Sequence, residues 1–221
     1  MEANPKSMYE VFNAATRFII PEYQRPYVWS KEQVDQLWND LVGAHQDNID
    51  VEEVEEYFLG PLVIAMQQDQ SGYTVAHVVD GQQRLTTIQT ILWLFWHRLS
   101  NIPGNESKTA QATLNRILLT VTNVSILSVA AADVQNFGAI QKGTFLDEST
   151  ELGSAASELR KKIESYPEDM IFDFINYMCN RTKFIFVRTD SYSNAWELFI
   201  GLNGKGAPLK PADLIKAFIC G

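Results

Sequence analysis

The sequence predicts an α+β fold, a small mixed sheet with flanking helices and a helical insertion. Short apolar segments and one hairpin lie in the first part of the 221 residues, a helical stretch follows, and a single strand-like segment returns near residue 185. Strands and helices are therefore grouped along the chain rather than alternating. This order favours an α+β fold over a doubly wound parallel sheet.

The composition is that of a globular chain, with 46% hydrophobic and 20% charged residues. Eighteen basic residues face 27 acidic ones, which gives a net charge of −9. A generally basic DNA-coating protein is excluded, because such a protein needs many Lys and Arg residues for phosphate neutralisation. The acidic excess lies mainly in residues 1–60, so a local basic pocket for a nucleotide remains compatible with the charge.

Cysteine content and the length of apolar runs indicate the cellular compartment to expect for the chain. The two cysteines, Cys179 and Cys220, form no CxxC pattern, so neither a disulfide scaffold nor a structural zinc site is expected. The sequence shows neither a basic start followed by an apolar stretch nor an apolar run of about 18 residues. We therefore expect a cytoplasmic protein without a signal peptide or membrane contact.

Two helix starts are marked by capping boxes in the first 50 residues. Ser7 is followed by Glu10 at the third position, and Ser30 is followed in the same way by Gln33. A short apolar strand at 18–20 separates the two helices. The apolar residues at helical spacing are Met8, Val11 and Phe12 in the first helix, and Val34, Leu37, Trp38 and Leu41 in the second.

A hairpin and a long helix follow. The segment 61–66 is typical of a buried strand, 67–72 of a polar turn, and 73–79 of an antiparallel partner strand. The next five residues lead into an apolar helix from about residue 85 to Leu99.

The remaining elements are less regular. The pattern predicts three helices, near 107–120, 155–165 and 168–179, with a linker near 121–155. A strand at 183–187 follows. The last predicted elements are a helix from Ser193 or Asn194 to 202, a turn at 203–206 and a final helix from Pro211. The predicted domains are a nucleotide-binding core at 1–100, a helical subdomain at 101–180, and a returning strand with helices at 181–221 that completes the core.

The strongest chemical signal is the run Asp80–Arg84, with the sequence DGQQR, between a strand and a helix. Gly81 allows a tight turn, and the first N–H groups of the helix then favour a phosphate in front of them. Arg84 adds a guanidinium fork for phosphate oxygens, and Asp80 could hold Mg²⁺ or orient a water molecule. The two glutamines suit phosphate, ribose or base contacts. The alternative is an ordinary helix N-terminus with a surface arginine.

Aromatic residues are concentrated just before the second helix. Tyr23, Tyr27 and Trp29 alternate at period two, so an extended segment would direct all three to one face. They could stack on a nucleobase or a flipped DNA base, or cover the core beside the pocket. We assign Trp29 to the core and leave Tyr23 open. His77 is expected to be structural, because apolar residues share its face of the strand.

Three segments together resemble a known family. The stretches IPEYQRPYVW at 20–29 and VDGQQRLTT at 79–87 look like the N-terminal domain of GmrSD-type Type IV restriction enzymes, and LNGKGAPL at 202–209 with DLIK at 213–216 is similar to a third block. The resemblance reaches from about residue 7 to 219. SspE-like anti-phage proteins share this domain, which resembles the ParB and sulfiredoxin folds.

The resemblance implies roles for individual residues. Asp80, Gln83 and Arg84 would be catalytic in nucleoside triphosphate hydrolysis, with Asp80 as the Mg²⁺ ligand. The implied nucleotide-binding residues are Tyr23, Gln24, Arg25, Gly81, Gln82, Thr86, Asn203 and Lys205. Many relatives have an arginine where Lys205 stands, and lysine lacks the bidentate fork. The nucleotide could be GTP, UTP or ATP.

The family also implies a function and partners. Its members couple nucleotide hydrolysis to defence against phage or modified DNA through an HNH-type nuclease domain. Because this chain has three scattered histidines, we expect the nuclease half to be C-terminal and missing here, or to be a separate chain. The expected partners are a nucleoside triphosphate, that nuclease and modified DNA. The first alternative is a non-hydrolytic ParB-like DNA-binding or modification-sensing module. The second is a helical interaction domain at residues 104–180 that serves as a dimerisation unit and gives a homodimer.

Overall fold

The computed structural model describes residues 2–13, 16–49, 54–69, 72–191 and 195. Within these residues, six strands form one mixed sheet, and helices pack against it. The strands are β1 (Glu2–Ser7), β2 (Arg17–Ile19), β3 (Tyr57–Gln68), β4 (Thr74–Asp80), β5 (Leu127–Ser128) and β6 (Thr182–Thr189). The helices are α1 (Met8–Phe12), α2 (Lys31–Gln46), α3 (Gln82–Leu99), α4 (Asn105–Leu118), α5 (Val134–Lys142), α6 (Glu151–Ser165) and α7 (Ile171–Arg181). The α+β prediction is confirmed.

The order of strands across the sheet is β1-β6-β3-β4-β2-β5. Strand β3 is central, antiparallel to β4 and parallel to β6, and β6 is antiparallel to β1. On the other side, β4, β2 and β5 are mutually parallel neighbours. The carboxyl ends of these three strands therefore lie at one edge of the sheet.

The two faces of the sheet are buried differently. Along β3, Leu62 and Ile64 belong to the main core beneath the helices, whereas Val63 and Ala65 belong to a second cluster. This alternation follows from the period of two in a strand. The second cluster also contains Ala195. Both faces of the central strands are thus covered, which explains why β3 has a continuous apolar run in its sequence.

A group of aromatic rings connects helices α2 and α3 to residues 101–180, which we call the insertion. Trp38 of α2 lies 5.8 Å, centroid to centroid, from Phe174 of α7 and 5.9 Å from Tyr166, which follows α6. Phe95 of α3 lies 5.7 Å from the same Phe174 ring. Elements from the first hundred residues and from the insertion therefore share one core.

Several predicted elements are confirmed with small changes in length. At Ser7 the hydroxyl accepts from the Glu10 amide at 3.2 Å, and the Glu10 carboxylate accepts from the Ser7 amide at 2.7 Å. At Ser30 the Gln33 side chain accepts from the backbone N–H at 3.0 Å. The hairpin forms as expected. Helix α3 begins three residues earlier than the apolar pattern indicates, because its first turn is polar.

The prediction of a linker near 121–155 is wrong. This stretch contains β5, a single 3-10 turn at Ala131–Asp133, helix α5 and the start of α6. Strand β5 has two residues and α5 has nine, so neither is long enough for its periodicity to stand out. Strand β1 is likewise absent from the predicted elements, since Pro5 and Lys6 are unusual in strands. Both are tolerated because β1 is an edge strand.

Some predictions are not decided by the described residues. The helix from Ser193 or Asn194, the turn at 203–206 and the helix from Pro211 lie outside them. The division into three domains and the likeness to ParB and sulfiredoxin stay predictions. Among the described helices, none has the length and apolar character needed to cross a bilayer.

Candidate functional site

The candidate site lies at the edge where β4, β2 and β5 end. Strand β4 ends in Asp80 and passes through Gly81 into α3. Strand β2 leads into residues 21–29, which we call the strap. Because the carboxyl ends of parallel neighbours meet at one edge, the strap comes to lie beside the DGQQR turn although the two are more than 50 residues apart in sequence. Ligand sites of sheets with parallel strands are common at such edges.

A cleft of about 500 Å³ opens between the strap and the turn. It combines residues from the first two sequence motifs. Its lining consists of Gln24, Arg25, Trp29, Val79, Asp80, Gly81, Gln82, Gln83 and Arg84. The structure thus brings together seven of the residues predicted for the site, and the volume is in the range of small-molecule pockets, about 300–1,000 Å³.

The turn at Gly81 requires glycine. Its φ is +91°, and a Cβ at this position would lie 2.9 Å from the carbonyl oxygen of Pro61. Gly81 is also the N-cap of α3, and no side chain caps that helix start. The first-turn amides of α3 are therefore left without a capping side chain where residues 82–84 line the cleft. Such a helix start favours an anion.

Arg84 is held by the start of β3. Its Nη1 donates to the carbonyl oxygen of Pro61 at 2.9 Å. Gly60, with φ +94°, leaves room for the guanidinium, because a Cβ there would lie 3.0 Å from Nη1. Burial lowers the pKa of Arg84, while the charge of Asp80 raises it. Gly60 and Pro61 lie outside the three sequence motifs, although a glycine–proline pair within a strand is a visible sign of a special backbone position.

Asp80 is the carboxylate of the cleft. Burial raises its pKa, while the Gly81 backbone N–H and the charges of Arg84 and Arg25 lower it. Burial is the largest of these causes. The Arg25 side chain is exposed at the cleft, so the carboxylate is influenced by one fixed and one accessible guanidinium group.

The three glutamines of the motifs bind backbone groups. Gln83 donates to the Pro26 carbonyl at 3.1 Å and accepts from the Val28 amide at 2.9 Å. Gln82 donates to the Arg25 carbonyl at 3.1 Å. Gln24 donates to the carbonyl of Val79 at 3.2 Å. The hydrogen bonds of these side chains therefore connect the strap to α3 and β4. The Oε1 atom of Gln82 is buried and has no hydrogen-bond partner.

Tyr27 anchors the middle of the strap. Its hydroxyl lies 2.7 Å from Oγ1 of Thr87 on α3, and its backbone amide donates to Oδ2 of Asp133 at 2.8 Å. Burial raises the pKa of the Tyr27 hydroxyl and also that of Asp133. Asp133 is not among the predicted site residues, because it lies in the stretch interpreted as a linker.

The remaining predicted residues lie elsewhere. Tyr23 is 65% exposed and lines a separate hollow with His77, while Thr86 is buried and does not line the cleft. Asn203 and Lys205 lie outside the described residues. Burial lowers the pKa of His77.

The expectation that Tyr23, Tyr27 and Trp29 share one face holds only for an extended segment, and the strap does not meet that condition. The backbone N–H of Gln24 donates to the Pro21 carbonyl at 2.9 Å, so the strap begins with a turn and is not extended throughout. Tyr27 is buried. Trp29 packs against the core, as expected, and also lines the cleft.

The donor set limits how a metal could be held. The described residues contain no group of three His, Cys, Asp or Glu side chains suited to a metal ion. Asp80 is the one carboxylate among the residues lining the cleft. Mg²⁺ is commonly held by one or two carboxylates together with substrate phosphates and water. The cleft therefore fits Mg²⁺ that arrives with a phosphate ligand.

Fold and site together define a class of protein domain: a mixed-sheet domain with an arginine-bearing strand–turn–helix at the ends of its parallel strands. The family model of the GmrSD restriction endonuclease N-terminal domain matches residues 8–220. The chain belongs to this family, as its sequence motifs implied. A search of curated proteins found no significant match.

Family membership supplies a biological setting. The chain belongs to the context of restriction systems and phage defence. A restriction endonuclease cuts DNA, so the family implies a nuclease partner domain and a DNA target.

Proposed function

We propose that this chain binds a nucleoside triphosphate with Mg²⁺ in the cleft and hydrolyses it, as the regulatory part of a restriction system directed at modified DNA. One observation carries the proposal. Arg25, Arg84, Asp80 and the uncapped start of α3 all line the same cleft. Two guanidinium groups and a helix start favour phosphates, and a single carboxylate favours the accompanying cation.

The two arginines have different parts in this proposal. Arg84 is fixed by the Pro61 carbonyl and is assigned to the β- or γ-phosphate, where a preset donor costs little reorganisation. Arg25 is exposed and is assigned to the γ-phosphate, which it can contact as the ligand enters. Both guanidinium groups would stabilise the charge that develops as the terminal phosphoryl group is transferred.

Hydrolysis requires water to attack the γ-phosphorus while the bond to the β–γ bridging oxygen breaks, giving a nucleoside diphosphate and phosphate. Bound Mg²⁺ would neutralise charge on the phosphate oxygens. Asp80 either ligates that ion or orients the attacking water.

Gln82 and Gln83 act in this proposal by holding the strap. Both amide nitrogens donate to strap carbonyls, so the side chains keep Arg25 beside the cleft. In this proposal the nuclease activity belongs to an HNH-type partner, either C-terminal or on a separate chain. The nucleotide state of the cleft would gate that partner.

The decisive experiment is a thermal-shift and calorimetry series with GTP, UTP and ATP, each with and without Mg²⁺. A ligand at 100 times its Kd stabilises the folded state by about 2.7 kcal/mol, so at least one nucleotide should raise Tm in the presence of Mg²⁺. Arg25→Ala should weaken that binding at least about tenfold, since a charged hydrogen bond is lost. Arg25 is exposed, so the variant should fold normally.

Arg17→Ala is the matched control, because Arg17 is an exposed arginine of β2 that does not line the cleft. It should leave nucleotide affinity unchanged. Absence of calorimetric binding for all three nucleotides would reject the proposal. Salt-sensitive binding of modified duplex DNA without any nucleotide binding would instead support the non-hydrolytic sensing module.

A further inference from the structure

Side chains of α3 form hydrogen bonds with the backbone of the strap, whereas the backbone of a β-strand is hydrogen-bonded by a neighbouring strand. Gln82 and Gln83 bind the carbonyls of Arg25 and Pro26, and Gln83 also binds the amide of Val28. Each contact comes from the first turn of α3. The position of the Arg25 backbone thus depends on side chains of other elements.

Asp133 supplies a hydrogen bond to the strap backbone from the insertion. It ends the 3-10 turn that follows β5, and its Oδ2 accepts from the Tyr27 amide at 2.8 Å. The side chain reaches the strap because β5 and β2 are parallel and end at the same edge. Asp133 is 8% exposed, so water cannot readily replace it as the acceptor for this amide.

The Asp133 contact falls within the same short segment that the two glutamines hold. Tyr27 is two residues beyond Arg25, and its hydroxyl is paired with Thr87 on α3. Without the Asp133 acceptor, the Tyr27 amide would be buried and unpaired, and the strap would have to shift to reach another partner. Arg25, at the exposed end of this segment, would move with it.

We propose that Asp133 is a positioning residue that holds Arg25 at the cleft through Tyr27, and that nucleotide binding thereby depends on the helical insertion. The inference rests on the proposed function, because its consequence is measured as nucleotide affinity. Asp133 itself does not line the cleft. It acts on the ligand only through the strap.

The test compares Asp133→Ala with Asp133→Asn. The asparagine keeps a side-chain oxygen that can accept from the Tyr27 amide, so it should bind nucleotide nearly as wild type does. The alanine should weaken affinity about ten- to hundredfold, since a displaced binding group loses much of its effect. Asn136→Ala is the matched control for instability. Asn136 is a buried polar residue of the insertion whose bonds reach Asp147 and Thr150, not the strap.

A double-mutant cycle separates positioning from general damage. If Asp133 acts through Arg25, Asp133→Ala should add little to the loss already caused by Arg25→Ala. An undiminished effect in the Arg25→Ala background would overturn the proposal. An equal loss of affinity in Asn136→Ala, at comparable Tm, would also overturn it.

Hydrogen exchange at the Tyr27 amide gives a readout that needs no nucleotide. Protection should be lost in Asp133→Ala and kept in Asp133→Asn and Asn136→Ala. Unchanged protection in the alanine variant would refute the positioning role even if the chain binds nucleotide. If the wild type binds no nucleotide, the proposed function fails. Loss of Tyr27 protection in Asp133→Ala would then still establish the clamp on the strap.

Discussion

At the scale of single residues, the site depends on two glycines in the left-handed region. Gly60 directly precedes Pro61 in the chain, and a Cβ at Gly81 would lie 2.9 Å from the Pro61 carbonyl oxygen, which Arg84 uses as its acceptor. A side chain at Gly60 would meet the guanidinium, and one at Gly81 would meet the carbonyl. The position of Arg84 therefore depends on the absence of a Cβ at Gly60 and Gly81 as much as on its hydrogen bond.

Gly81→Ala should destabilise the protein by at least about 1–2 kcal/mol, the cost of a left-handed conformation for a residue with a Cβ. The clash with the Pro61 oxygen adds to this cost. Urea unfolding measures the change. Gly43→Ala in α2 is the control, because a Cβ at Gly43 would have no neighbouring atom within 4 Å. That change should stabilise the helix by about 0.5–1 kcal/mol. A Gly81→Ala variant as stable as the wild type would contradict the steric argument.

The residues of the site differ in how far the sequence reveals them. The DGQQR run is local, and a strand, a glycine and a helix start in succession can be recognised without tertiary information. The partner of the Tyr27 amide cannot be recognised in this way, because Asp133 is 106 residues away and belongs to no periodic pattern. The sequence also predicts that Gln82 and Gln83 belong to the site. It does not reveal that their amides bind the strap, since that requires the parallel pairing of β2 with β4.

At the scale of elements, three helices end near one another away from the cleft. His97 and Arg98, in the last turn of α3, contact the C-terminal ends of α5 and α6. His97 Nε2 lies 3.0 Å from the Ile140 carbonyl, and Arg98 donates to the carbonyls of Ile163 and Tyr166. Cations are favourable at helix C-termini, where carbonyl groups lack partners. The position of Arg98 is thus explained by the helix ends.

Arg98→Ala should lower the free energy of unfolding by about 1–2 kcal/mol, because two charged hydrogen bonds to helix-end carbonyls are lost. Arg116→Ala is the comparison, since Arg116 is an exposed arginine in the last turn of α4. It should change stability by no more than about 0.5 kcal/mol. Denaturant unfolding of both variants provides the measurement. A similar loss in both would show that the contacts of Arg98 are unimportant.

Elements are predicted most accurately where the signal is long or capped. Helix α2 combines an apolar stripe with a capping box, α3 has a long apolar stretch, and the β3–β4 hairpin has two apolar strands around a polar turn. Strand β5 is not predicted for the opposite reason, because a strand of two residues is too short to show an alternating pattern. It exists because β2 offers a parallel edge, which is a property of the folded sheet.

At the scale of the whole molecule, the core crosses the predicted boundary at residue 100. Trp38 and Phe95 lie against Phe174 and Tyr166 of the insertion. Aromatic pairs at such distances contribute about 0.5–1.5 kcal/mol each beyond area burial. The insertion and the sheet therefore stabilise each other, whatever domain boundaries are assigned.

Urea unfolding should accordingly occur in a single transition. Tryptophan fluorescence, which reports on Trp38 among others, and far-ultraviolet circular dichroism, which reports on all helices, should give coincident curves. A fragment lacking residues 101–180 should not fold, because the Trp38 and Phe95 rings would be exposed. Two separated transitions, or a folded fragment, would favour an independent helical subdomain.

The position of β1 has a consequence for synthesis. Its only partner among the described strands is β6, with Glu2 paired to Arg188, and β3 also requires β6 on one side. At translation rates of about 5–20 residues per second, roughly 6–24 s pass between the synthesis of β3 and that of β6. During that interval the β4–β2–β5 half of the sheet and the turn carrying Asp133 can form, while the edge of β3 stays unpaired on the ribosome. Such an edge invites pairing with other chains, so the nascent chain is most vulnerable to aggregation after the residues lining the cleft are made and before its sheet is closed.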